Sequence, residues 1–251
     1  TTLNGEGLQH EDGHSHLMSA TVPNCISYDP TYAYELAVII QDGLRRMYAE
    51  QEDIFYYITV MNENYTHPAM PQGIEQDILK GMYCFKKGDS SATLRVNLLG
   101  SGVIFREAEA AAELLRNDWG VEADLWSCPS FTELARDAQT CERWNRLHPT
   151  QPAKKSHVRA CLTEANVPVI AATDYTRSFA EQIRSEIKAP YVVLGTDGFG
   201  RSDTREHLRC FFEVDRFHIT IAALKSLADN GQFELGKVEV AIAKYGIDAD
   251  V

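Results

Sequence analysis

The chain has 251 residues and a mass of 28.1 kDa, and its 44% hydrophobic and 10% aromatic content is enough to bury a core, which excludes a disordered segment. Its 24 Lys+Arg against 36 Asp+Glu leave a formal net charge of -12, which repels phosphate backbones and argues against nucleic acid as a partner. No apolar run approaches the roughly 20 residues that span a bilayer, and six cysteines without a CxxC pair suit small, buried, reduced thiols better than a disulfide framework, so we expect a cytoplasmic protein with no membrane contact.

In chain order, the opening stretch contains HEDGHSH (residues 10–16), three histidines and two carboxylates before any clear helix or strand. Thr1 is not a start methionine, and so dense a motif at the very beginning suggests that an upstream part is missing. VPNCISYD reads as a strand ending near Tyr28, followed by a helix with Asp29 as cap and Pro30 at its first position. IFYYITVM is a second strand, and the order strand, helix, strand predicts a parallel βαβ unit. Residues 62–91, with two prolines and a short helical stretch near 74–82, read as a linker.

A second alternating pattern begins at Leu94. RVNLLG, EADLWS, VPVIAAT and YVVLGT are strands, separated by helices over VIFREAEAAAELLRNDW, FTELARDAQTCERWNRL and DYTRSFAEQIRSEIK, the last capped by Thr173 or Asp174. Asp203 and Glu206 stand at capping-box spacing before another helix, and two amphipathic helices close the chain. The fold class is α/β in two units.

For HEDGHSH, three readings stand. A metal site needs three ligands converging at roughly 2.0–2.2 Å, and His10 and His14 have i, i+4 spacing, but Gly13 and the lack of an apolar face oppose a helix there. The others are a solvated polar loop and an active-site loop in which an imidazole gives or takes a proton. GTDGFGRSD (residues 195–203) is glycine-rich but lacks GxGxxG and carries Asp197 and Asp203, so it reads as a structural turn rather than a phosphate cradle. The polar residues Glu133, Arg136, Asp137, Arg143 and Asn145 fit a solvated or interface helix, and no GxSxG elbow is present.

Taken in order, TTLNGEGLQHEDGHSH, SYDPTYAYELAVIIQDGL, YYITVMNENY, LLGSG, SFTELARDAQTCERWNRLHP and LGTDGFGRSDTRE resemble the carboxyl-terminal portion of the homodimeric bacterial pyruvate dehydrogenases. The resemblance runs the whole length of the chain. It implies a transketolase-like α/β fold, with residues 1–91 as the second half of a pyrimidine-binding domain plus linker and 92–251 as a transketolase-type carboxyl-terminal domain. It also implies an oxidoreductase that decarboxylates pyruvate on thiamine diphosphate, with Mg²⁺, and passes the acetyl group to lipoyl groups of a dihydrolipoyl acetyltransferase component.

Of the site residues, the resemblance carries over His10 alone, as an active-channel acid/base group, with His14 and His16 as loop neighbours. The GDG…N segment that holds magnesium and diphosphate is not in the sequence, where the one GDS lies at residues 88–90, and the family's activating glutamate precedes TTLNGEG. No cofactor and no metal is therefore expected on this chain alone, which is expected to be inactive. The alternative is a non-catalytic dimerisation or assembly module.

Overall fold

The computed structural model describes Gly7 and residues 10–250; Thr1–Glu6, Leu8, Gln9 and Val251, and with them the TTLNGE part of the resembling stretch, lie outside the described residues. Helix α1 (Ser15–Ala20) begins inside HEDGHSH, which corrects its reading as a stretch without a helix. The cause is local: the Asp12 carboxylate accepts from the N–H groups of His14 (3.0 Å) and Ser15 (2.9 Å), satisfying donors that a helix start leaves free.

Strands β1 (Cys25–Tyr28) and β2 (Phe55–Ile58) pair in parallel, Cys25 opposite Phe55 through Tyr28 opposite Ile58, with α2 (Ala33–Leu44) as the crossover, in agreement with the βαβ expectation. The cap is elsewhere than expected. Tyr32 is the N-cap, its N–H reaching Glu35 Oε2 at 2.9 Å, because Asp29 continues straight out of β1 and is fully buried.

The second sheet has five strands in the order β3-β5-β4-β6-β7, comprising β3 (Tyr83–Lys86), β4 (Arg95–Gly100), β5 (Glu122–Ser127), β6 (Val169–Ala172) and β7 (Tyr191–Leu194). All neighbours pair in parallel except β3, which follows the short helix α3 (Glu75–Lys80) and adds antiparallel to β5 from within the segment read as linker. Alternate side chains serve opposite faces. Leu98, Leu125 and Ile170 pack under α4 (Phe105–Trp119), α9 (Arg216–Asp229) and α10 (Leu235–Tyr245). Leu99, Trp126 and Ala171 pack under α5 (Phe131–Leu147), α6 (His157–Cys161) and α7 (Arg177–Glu181).

Two further caps differ from expectation. Thr176, not Thr173 or Asp174, precedes α7, and the Thr173 hydroxyl instead meets Ser101 Oγ at 3.1 Å. Thr204, not Asp203, caps α8 (Arg205–Phe211) by accepting from the His207 N–H at 3.3 Å. The cysteines also depart from a uniform core role: Cys25 and Cys128 are buried, Cys84, Cys141 and Cys161 are partly covered, and Cys210 is exposed.

The two sheets are joined by side chains as well as by sequence. Glu35 of α2 is fully buried and accepts from Tyr83 Oη at 2.7 Å and Ser127 Oγ at 2.6 Å, both on the second sheet. Arg136 of α5, on the helix read as solvated or interfacial, donates back to the carbonyls of Cys25 (2.8 Å) and Val22 (3.0 Å).

Candidate functional site

In the second sheet the chain goes from β4 to β5 on one side and then to β6 on the other, so β4 and β6 flank the point where winding reverses. Open α/β sheets leave a crevice outside the carboxyl ends of such strands. Here the crevice faces the carboxyl ends of β1 and β2, and a polar residue stands just past several strands: Asp29 after β1, Thr59 after β2, Ser101 after β4, Thr173 after β6 and Thr196 two residues beyond β7. The seam is tight, with Gly102 N–H donating to the Asp29 carbonyl at 3.0 Å and Asp29 N–H to the Pro129 carbonyl at 2.7 Å.

A cavity of about 250 Å³ opens over this seam. One wall is His10, Glu11, Asp12 and Gly13; a second is Thr59 to Asn62; the third is Asp174 and Tyr175 with Thr196 and the loop Gly198–Arg201. The first wall is pinned to the third, since Thr176 N–H donates to the Gly13 carbonyl at 3.0 Å. The GTDGFGRSD turn is thus a structural turn that also borders the cavity. Gly200, at φ 88°, has the Glu11 side chain lying where a Cβ would stand, and Phe199 beside it is 87% exposed.

The three histidines of the motif separate. His10 is exposed and lines the cavity, His14 is exposed ahead of α1, and His16 is fully buried. The His16 ring stacks on Phe179 (4.8 Å between centroids) with Tyr175 edge-on at 4.5 Å, and this burial pushes its pKa down to about 4 against the opposing charge of Asp12. Asp12 feels burial too, which raises it, but the hydrogen bonds from Ser15 and His14 hold its carboxyl below the usual range. Among the described residues no group of three or more His, Cys, Asp and Glu is placed to hold a metal ion.

Sequence reasoning passed over Asp29 and Thr59. The Asp29 carboxyl is buried, and this pushes its pKa up to about 7, the Thr59 hydroxyl opposing with a 2.7 Å hydrogen bond to Oδ1. Asp29 Oδ2 has no hydrogen-bond partner among the described residues. Each of the two residues stands one residue past an observed strand, but Thr59 lies inside the run IFYYITVM read as strand, so position offered a signal in the sequence for Asp29 alone.

Comparison with known proteins places this geometry. A family model described as "Transketolase-like TK C-terminal domain" matches residues 81–215, more than half of the chain. The chain belongs to the transketolase-like family. A second model, described as "Pyruvate dehydrogenase E1 component middle domain", matches residues 1–68. The chain is 68% identical over 249 residues (99% of its length) to the pyruvate dehydrogenase E1 component of Cupriavidus necator, and 62% identical over 251 residues to that of Pseudomonas aeruginosa. It spans 28% of the length of each of these relatives. Transketolase-like structures share the fold: a Pichia stipitis transketolase variant at TM-score 0.64 and 16% identity covers 93% of this chain and 29% of its own, and the Campylobacter jejuni enzyme at TM-score 0.62 and 18% identity covers 88% and 29%. The resemblance to the bacterial pyruvate dehydrogenase E1 component and the expected transketolase-like α/β fold are both borne out.

Proposed function

We propose that this chain is one wall of the active centre of a pyruvate dehydrogenase. The complete protein, an oxidoreductase, decarboxylates pyruvate on thiamine diphosphate with Mg²⁺ and transfers the acetyl group to lipoyl groups of a dihydrolipoyl acetyltransferase component. It works as a homodimer in the cytoplasm. The observation that carries this reading is the cavity at the winding reversal, with walls from both units and from the motif that resembles the family's active channel. It favours a site-bearing role over a pure assembly module, because the unit after residue 91 supplies Asp174, Tyr175 and the Gly198–Arg201 loop to it. No helix of the described residues is long and apolar enough to cross a membrane.

The residues present do not fit the cofactor's diphosphate end. Among charged side chains the lining offers Glu11, Asp12 and Asp174 against a single guanidinium, that of Arg201, which lies over the Phe211 ring with its carbon 4.4 Å from the centroid. A magnesium diphosphate needs N–H or cationic donors for its oxygens and a clustered set of oxygen ligands for its metal. No step is therefore routed through that group here. What this chain contributes is His10, whose imidazole can exchange a proton with a ligand in the cavity.

It follows that the 251 residues by themselves are inactive and do not hold the cofactor. Isothermal titration of the isolated chain with thiamine diphosphate and Mg²⁺ is expected to give no saturable heat, and micromolar binding would overturn the assignment of a single wall.

A further inference from the structure

Helix α1 buries only one side chain, that of His16. Its Nε2 lies 3.0 Å from Thr59 Oγ1, which lies 2.7 Å from Asp29 Oδ1 and 3.4 Å from the Tyr28 carbonyl. A hydroxyl has one proton and two lone pairs. The nearest and only charged acceptor is the Asp29 carboxylate, so the Thr59 proton points there. Thr59 then has only lone pairs to offer His16, and the imidazole must carry its proton on Nε2. Nδ1 is left as a buried acceptor without a partner among the described residues, which costs less than a buried N–H left unpaired would. Tyr57, Tyr175 and Phe179 surround the ring and fix its plane.

We propose that His16, Thr59 and Asp29 form one directed hydrogen-bond relay that latches α1, and with it the His10–Gly13 wall, onto the back of the cavity. The relay is a property of the seam and stands whether or not the pyruvate reading does. Its carboxylate end has defined neighbours. Asp29 faces Thr59 from the β2 end, Ser101 and Gly102 from the β4 end, Asp174 from the β6 end and Glu35 from α2. Asp174 and Glu35 both oppose its ionisation. Tyr175 faces Thr59 and the His16 ring, and Asp12 faces His16 from the preceding turn. The Gly13 carbonyl, which accepts from the Thr176 N–H at 3.0 Å, and the Ser15 hydroxyl, which accepts from Tyr57 Oη at 2.8 Å, are further hydrogen bonds from this segment to its surroundings.

The test uses the 251-residue chain labelled with ¹⁵N-histidine, together with amide hydrogen exchange of peptides covering residues 10–20. At pH 8.5 the His16 ring nitrogens are expected to report the Nε2–H tautomer. Thr59→Val is expected to lose at least tenfold protection at every pH, with Thr59→Ser retaining it. An Nδ1–H tautomer at pH 8.5 overturns the proposal. So does a Thr59→Val chain that exchanges like the parent; if that variant does not fold, the tautomer decides.

Discussion

The backbone N–H of Gly102 donates to the Asp29 carbonyl at 3.0 Å, and this bond joins the carboxyl end of the second sheet to that of the first. Gly102 has φ 51°, and a Cβ on it would stand 2.5 Å from Asp29 Oδ2 and 2.7 Å from the Met61 methyl. The close approach of the two units therefore depends on a residue with no side chain.

Gly102→Ala is expected to destabilise the chain by about 3 kcal/mol, since a left-handed backbone position and a steric clash with a buried carboxylate act together. Urea unfolding measures it. A loss under about 0.5 kcal/mol would mean that the seam relaxes freely and the close approach is not needed.

The two buried titratable groups of the relay impose opposite pH dependences. Asp29, raised from 3.8 to about 7, stabilises the fold fully below its unfolded pKa, and that contribution is lost as pH climbs to 7, about 4 kcal/mol in all. His16, lowered from 6.5 to about 4, does the reverse: stability is present above 6.5 and is lost as pH falls towards 4, about 3 kcal/mol. Between pH 4 and 6.5 their slopes cancel. Asp29→Asn is accordingly expected to become more stable as pH rises through that window, and His16→Gln less stable, as read from urea midpoints. Equal slopes in both variants and the parent would show that neither group titrates as its burial demands.

His10 lines the cavity without being part of the seam, so its removal tests chemistry rather than folding. In the complete enzyme His10→Ala is expected to lower turnover by about two orders of magnitude, the usual worth of an acid/base group, with cofactor affinity changed by no more than a few-fold. Steady-state rates and cofactor titration separate the two effects, and an unchanged rate removes His10 from the mechanism.

The elements themselves were legible because their signals are local. The β-branched and aromatic run of β2, the alternation through β4 to β7 and the helical spacing of α2, α4 and α5 depend on neighbours within a few residues. Caps were less legible. Asp29, Thr173 and Asp203 each have the chemistry of an N-cap, but Asp29 and Thr173 are engaged by the seam, and Thr204 takes the place expected of Asp203. The linker reading missed β3 because an edge strand is defined by the partner it finds, here β5.

By itself, then, the sequence determined the α/β class, the parallel pairing and the likeness to pyruvate dehydrogenases, and through that likeness it offered His10 as an acid/base candidate. Only the tertiary structure decided that His16 is a core residue rather than a loop neighbour, and that Asp29 and Thr59, 30 positions apart, share one hydrogen bond beneath the cavity. The reason is physical. Propensity and periodicity are short-range properties, whereas burial, and the ionisation it shifts, is set by which distant strand ends the fold brings face to face.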